Sequence, residues 1–427
     1  MNNSYCRIRS PKRNGRPDYS RGSWFPYYAG FSVGFVEDIL DSLALPARAI
    51  ILDPWLGAGT TSEVAVQRGH RVRGFDINPA MLLIAKARLV SSDGVTSTAS
   101  IIADGLASFR READTQSSLP KRLTRDPLEH WLHPSCASNF RRLEQCILAA
   151  LGERQLAGSM WSAASQASST TSFAYLALFR TMRRLIRRWQ GSNPTWINIP
   201  KDARRRSTFS NSSMAQSLEI ELKFLLESSK IHQVCFEDIA VLKEGSSTSI
   251  PLKDNSVDFS ISSPPYCTRI DYVRATLPEL SVLGFPDKAA LRALQERMIG
   301  TPTVSGLLDE ESIHWGPTCL DFLKRVRRHT SKASAGYYSK YYLQYFRSIV
   351  ASLLEINRVL KPEGQCVLVV QTSHYKEILN DLPQIFCEMS DSLGWRVDER
   401  INFEVKRTLA GVNPGVRAYR KTELARV

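Results

Sequence analysis

A doubly wound α/β sheet interrupted by two helical stretches is the fold class this sequence predicts, and three observations predict it. Short apolar runs closed by polar residues recur at 49–52, 71–75, 257–261 and 366–371, as buried parallel strands do. Amphipathic helical spacing separates the first two and follows the second, the opening of a βαβα pattern. The composition, 43% hydrophobic and 23% charged over 427 residues, is that of a globular protein and excludes collagen-like, coiled-coil and largely disordered chains. No stretch approaches the ~18 uninterrupted apolar residues of a membrane span. The basic N-terminus lacks the apolar core of a secretory signal.

Taken in order, residues 1–24 are rich in Arg, Pro, Gly and Ser and read as a flexible basic arm. Phe31, Phe35, Ile39, Leu40 and Leu43 share one face of a first helix. A strand over 49–52 runs into Asp53-Pro54, a helix spans 60–68, a strand 71–75 and a helix 79–90. The alternation then breaks. Residues 105–230 are helical in pattern, with apolar periodicity at 143–151, 173–189 and 218–226 and a Ser/Ala-rich linker at 158–172. Strands are predicted again at 233–236 and 257–261, and a second, mostly helical interruption covers 270–335. A long helix over 341–360 stops at Lys361-Pro362-Glu363-Gly364. It leads to a strand at 366–371, a helix at 378–393 and a closing antiparallel pair at 395–405 and 418–424. One sheet domain, assembled from 25–104, 231–269 and 336–427 around the two insertions, accounts for this order.

Charge narrows the function classes. The 56 Lys and Arg against 42 acids leave +14, and two segments hold it: residues 1–24 at +5 and 121–230 at +9. A neutral scaffold with two basic attachments suits a polyanionic partner, although Arg-rich solvated helix faces give the same arithmetic. The eight cysteines are scattered without a C-x-x-C pair, which argues against a zinc site or a disulfide framework and fits a reducing cytosol. No metal site is expected.

Two loops carry chemistry. Asp53-Pro54-Trp55-Leu56-Gly57-Ala58-Gly59-Thr60-Thr61 joins a predicted strand to a predicted helix. Glycines there permit a tight turn and close backbone approach, and a helix N-terminus presents unpaired N–H groups. Asp76 ends the next strand, in Gly74-Phe75-Asp76-Ile77-Asn78-Pro79, where an acid can take both hydroxyls of a ribose. A lone Gly-x-Gly is equally a plain strand-to-helix turn, but no Gly-Lys-Ser/Thr follows it and the third glycine of a dinucleotide fingerprint is absent. The second loop, Ser262-Ser263-Pro264-Pro265-Tyr266, follows the strand at 257–261, at the carboxyl edge where open α/β sheets bind ligands. Ser263 Oγ and the Pro264 carbonyl offer acceptors to the two N–H groups of an exocyclic amine. Hydrogen bonds of that kind favour pyramidalisation and return the lone pair to nitrogen. Tyr266 offers a ring face for an extruded base.

Together, D-P-x-x-G-x-G-T, F-D-I-N-P and S-P-P-Y resemble the motifs of the S-adenosylmethionine-dependent amino DNA methyltransferases. The resemblance implies a Rossmann-like, seven-stranded methyltransferase sheet and S-adenosylmethionine as cofactor. The implied cofactor residues are Asp53, Trp55, Gly57, Gly59, Thr60, Asp76, Ile77 and Asp238, with Asp104 the competitor for the role of Asp238. Trp55 stands where many members have Phe. The implied catalytic residues are Ser263, Pro264, Pro265 and Tyr266. A first-position Ser is typical of enzymes acting on cytosine N4, whereas Asp or Asn is usual for adenine N6; N2-guanine methylation of RNA and a non-catalytic DNA-binding subunit are the other readings. Cys267 follows Tyr266 rather than a proline, unlike the nucleophile needed for carbon-5 methylation. His374 is expected to be a loop residue rather than a base. Duplex DNA is the expected partner, in a restriction-modification or phage-defence setting with cognate proteins in a bacterial cytosol. Arg183, Arg184, Arg187 and Arg188, at helical spacing, and Arg204, Arg205 and Arg206 are candidates for phosphate binding, with 105–230 the candidate reader of the target and 270–335 the alternative.

Overall fold

The computed structural model describes residues 8–12, 21–25, 30–113, 125–156, 160–191, 197–229, 239–268, 270–285, 288–304 and 313–403. Five parallel strands form the central sheet in the order β3-β2-β1-β4-β5. They are β1 (Ile50–Asp53), β2 (Arg71–Asp76), β3 (Ala240–Glu244), β4 (Val257–Ser262) and β5 (Leu360–Leu368). The chain builds outward from β1 through β2 to β3, then returns to lay β4 and β5 on the other side of β1. The strand order therefore reverses between β1 and β4, and a crevice opens at their carboxyl ends. β4 is buried along nearly its whole length, as the apolar run at 257–261 requires of an interior parallel strand.

Helix α1 (Val33–Ser42) starts where the Ser32 side chain accepts from Phe35 N at 3.2 Å. Helix α2 (Thr60–Gln67) follows β1, and α3 (Pro79–Ala87) follows β2 with Asn78 as its cap and Pro79 in its first turn. The first helical stretch holds α4 (Ser92–Ala113), α5 (Pro134–Ala150), α6 (Met160–Gln166), α7 (Ser169–Leu185) and α8 (Asn211–Ser229). The second holds α9 (Tyr272–Ala275), α10 (Leu277–Val282), α11 (Lys288–Arg297) and α12 (Gly316–Arg328). Helices α13 (Ser339–Val359) and α14 (Leu382–Ser392) complete the fold.

The first helical stretch is not a separately cored module. Phe173, Phe179, Leu218 and Leu225 pack in one cluster with Leu83 and Ile84 of α3 and with Ile51, Val72, Phe259 and Ile261 of the sheet. A boundary at 104/105 falls inside α4. A second core joins Cys267 to α12, α13 and α14, and a third places the end of α13 against Leu52, Phe75 and Val257. Among the described residues no helix is long and apolar enough to cross a membrane.

Several expectations change. Among the described residues five strands stand in the sheet, against the seven expected; two more, β6 (Ser373–Tyr375) and β7 (Ile378–Asn380), form a separate antiparallel hairpin. That hairpin takes the start of the helix expected at 378–393. Asp381 caps α14 by accepting from Gln384 N, with Pro383 in the first turn, so the helix begins at Leu382. The stop at 361–364 lies within β5, as a register shift between Val257↔Leu360 and Phe259↔Gln365, with Glu363 at φ 64°. The strand beside β2 is Ala240–Glu244, while the expected strand at 233–236 lies outside the described residues. No strand forms over 395–403, and the rest of the expected closing pair lies outside the described residues. The Ser/Ala-rich linker is helical in α6 and from Ser169 onward. The described parts of the basic arm are docked: Arg9 Nη2 pairs with Asp38 at 2.7 Å, and Trp24 is fully buried.

Candidate functional site

The turn after β1 is built around its acids. Asp53 is buried at the strand end, accepts from Ser262 Oγ of β4 at 2.5 Å, and takes Trp55 N at 3.3 Å. Gly57, at φ 51°, donates its N–H to Asp76 Oδ2 at 2.9 Å, and Asn78 N donates to the other oxygen at 2.8 Å. One carboxylate thus ties the ends of β1 and β2 together. Burial dominates both acids, pushing Asp53 up to about 6 and Asp76 up to about 7, against the hydrogen bonds that favour ionisation. Gly59 is the N-cap of α2 at φ 77°, and a Cβ there would lie 2.7 Å from the Ala85 Cβ of α3. Both its backbone conformation and the closeness of α3 call for a glycine there. Behind the turn, Arg88 donates to Ala58 O at 2.7 Å and pairs with Glu63, both charges fully buried.

The turn after β4 is held from three sides. Ser263 Oγ donates to Val369 O at 3.1 Å, which leaves its lone pairs as acceptors. Tyr345 of α13 donates its hydroxyl to Pro265 O at 3.0 Å, and Tyr266 N donates to Tyr272 Oη at 3.1 Å. Cys267 is buried, and desolvation pushes its thiol far above the ordinary range, which does not suit a nucleophile.

These two turns line one cleft at the carboxyl edge of β1 and β4. Asp53, Trp55, Gly57, Thr60, Asp76 and Ile77 border it, and so do Ser263, Pro264, Pro265 and Tyr266. Trp55 Nε1 is buried there without a partner among the described residues, an unused donor. Asp238 lies outside the described residues. Asp104 is exposed on α4 and does not border the cleft. His374 sits exposed in β6, outside the lining, in a strand rather than a loop.

Two further groups of lining residues lie outside the motifs. Gly245, Ser246 and Ser247 follow β3, Arg297 ends α11, and Met298 and Ile299 follow it. Arg297 spans the two groups by pairing with Glu244 at 2.8 Å. Gly-Ser-Ser after the apolar residues 240–242 was a usable signal for the first group. Nothing local marks the second, because its position depends on how the helices at 270–304 fold back.

The seven arginines divide. Arg183 is half-buried and turned inward: it pairs with the fully buried Glu279, donates to Ala275 O at 2.8 Å and lies 5.1 Å from the Phe25 ring. Arg184 holds Glu221 at 3.2 Å, and Arg206 lies 3.8 Å from Glu129. Arg187, Arg188, Arg204 and Arg205 are exposed, with Arg188 and Arg205 over the Trp189 ring at 4.7 and 5.7 Å and Arg204 beside Asp202.

The chain is similar to the Type II methyltransferase M.BsoBI of Geobacillus stearothermophilus, 27% identical over 299 residues that make up 65% of this chain and 55% of that protein. It thus spans about half the length of that relative. No protein-family model matches the chain. No solved structure matches it.

Proposed function

We propose that this protein is an S-adenosylmethionine-dependent DNA methyltransferase acting on the exocyclic N4 of cytosine in duplex DNA. The observation that carries the reading is the shared cleft: the glycine-rich turn and the S-P-P-Y turn border one crevice at the switch point of a parallel sheet. The similarity to a Type II methyltransferase supports the same reading.

The residues fit the cofactor. Asp76 offers a carboxylate at the end of β2, where ribose hydroxyls can donate to it. Asp53, the Gly57 turn and the unpartnered Trp55 N–H supply acceptor, backbone approach and donor. When bound, S-adenosylmethionine supplies an electrophilic methyl group on a sulfonium. The chain then has only to desolvate, position and polarise the acceptor amine. Ser263 Oγ, its own proton given to Val369 O, and the Pro264 carbonyl accept from the amine, while Tyr266 stacks on a base drawn from the duplex. The cofactor would leave as a neutral thioether once its methyl group is given up, and the methylated amine held by Ser263 and Pro264 would lose its extra proton to water. No side-chain base is invoked.

Phosphate binding falls to the exposed Arg187, Arg188 and Arg205, since Arg183, Arg184, Arg204 and Arg206 are engaged with carboxylates of the protein. A bacterial cytosolic setting in restriction-modification or phage defence, with cognate proteins, completes the proposal. The same acceptors serve the N6 amine of adenine, and one experiment separates the two. Purified protein is incubated with labelled S-adenosylmethionine and mixed-sequence duplex DNA, and the product is digested to nucleosides. Label in N4-methylcytosine is expected; label in N6-methyladenine moves the proposal to the other base. No label in DNA, under conditions where the cofactor binds, defeats it.

A further inference from the structure

The helical stretch after the S-P-P-Y turn carries a basic surface that the arginine cluster around Trp189 does not include. Helix α12 buries Cys319, Phe322, Leu323 and Val326 against α13 and α14 and turns the other side to solvent. Lys324, Arg325, Arg327 and Arg328 are exposed on it, three of them in its last turn. A helix macrodipole accounts for cations in a last turn. It does not account for exposed Lys332, past the helix end, or Lys376, at the tip of the β6–β7 hairpin. Side-chain interactions gather these pieces: His329, the C-cap of α12, lies 2.8 Å from Glu377, its ring lies 5.5 Å from that of Tyr375, and Tyr375 Oη lies 2.5 Å from Ser334 Oγ. Among the described residues, Asp321, 3.8 Å from Arg325, and Glu377, 2.8 Å from His329, are acids of the group. Glu388 sits at the opposite end of α12, accepting from Thr318 N at 2.9 Å.

This surface is tied to the cleft by a short path. From the turn after Ser334, Tyr337 donates its hydroxyl to Pro302 O at 2.7 Å, and Gln344 of α13 donates to Thr303 O at 3.2 Å. The same segment contains Ile299, which borders the cleft, and Gly300, at φ 74°, where a Cβ would meet Tyr266 O at 2.9 Å. A side chain cannot be placed there without moving the S-P-P-Y turn.

We propose that the end of α12, with Lys332 and Lys376, is a docking surface for the sugar–phosphate backbone of the duplex whose base enters the cleft. It rests on the reading of the protein as a DNA methyltransferase and adds a second place where the duplex is held, on the side of the cleft formed by 299–304. Clustered cations on one solvent face, two of them outside the helix, suit a row of phosphates, and their contribution is read from salt dependence.

The test uses the full-length protein and a fluorescent mixed-sequence duplex, titrated across a salt series. Removing one phosphate-binding cation should lower the slope of log affinity against log salt by about 0.9. R325E/R327E/R328E should lower the slope by about 2.7 and K332E/K376E by about 1.8, and each should weaken binding at least about tenfold at moderate salt. Calorimetric cofactor affinity, expected to be unchanged in both, reports that the variants are folded. Slopes and affinities within about twofold of the parent in both variants would overturn the inference. So would a parent protein that prefers single strands or RNA to the duplex. If the parent binds duplex through this surface yet transfers no methyl group, the surface stands and the methyltransferase reading falls.

Discussion

Asp53 and Asp76 give the cleft its pH response. Each has its folded-state pKa raised by burial, to about 6 and about 7, from 3.8. A raised acid contributes stability that is full below the unfolded value and is lost as pH rises through the folded one. The ligand-free protein should therefore lose melting temperature between about pH 4 and 7 through these groups, and Asp76→Asn should flatten the curve, as scanning fluorimetry across pH would read. Cofactor affinity should move the other way, because the ionised carboxylate is the better acceptor: about tenfold weaker at pH 6 than at pH 8 by calorimetry, and nearly flat in Asp76→Asn. A flat parent profile would remove Asp76 from the binding step. Tyr345 acts on the other turn through one hydroxyl on Pro265 O. Tyr345→Phe should lose a neutral hydrogen bond of about 1 kcal/mol, lowering kcat about fivefold with cofactor affinity unchanged.

Elements explain what holds each motif residue in place. Gly57 donates to Asp76, but Gly59 sits where α2 begins against α3. Gly59→Ala should cost more than about 1 kcal/mol of stability through its positive φ and its crowding against Ala85, with cofactor affinity falling as the turn shifts; denaturant unfolding measures the first effect and calorimetry the second. The arginine-rich end of α7 shows the same division. Helical spacing makes Arg183, Arg184, Arg187 and Arg188 look alike, yet Arg183 points its charge at a carboxylate with no solvent exposure. Arg183→Ala should destabilise by about 3 kcal/mol in denaturant unfolding, because it strands Glu279, and should leave the salt slope of duplex binding unchanged. Arg187 and Arg188 are exposed, and Arg187→Glu/Arg188→Glu should lower that slope with little change in stability.

At the scale of the molecule, the helices from 105 to 230 share a core with the sheet. Phe173 and Phe179 pack in the same cluster as Ile51 and Phe259. Excising residues 105–229 with a short bridge should therefore give a protein without cooperative unfolding or cofactor binding, not a minimal catalytic core; calorimetry decides it. The basic helices both support the sheet and present charge, a combination that composition cannot separate.

Strands β1, β2 and β4, helices α1 to α3 and both turns of the cleft are legible in the order of residues alone. In each, the deciding interactions lie within a few residues: an apolar run, a cap at Ser32 or Asn78, glycines at positive φ, a pair of prolines. Folding in three dimensions settles the rest: a hairpin separate from the parallel sheet, a cleft bordered by Gly245–Ser247 and Arg297–Ile299, and the choice of which arginines face solvent. Those outcomes depend on partners far along the chain, such as Glu279 for Arg183, Glu244 for Arg297 and Tyr345 for Pro265, and no local pattern encodes a partner so distant in sequence.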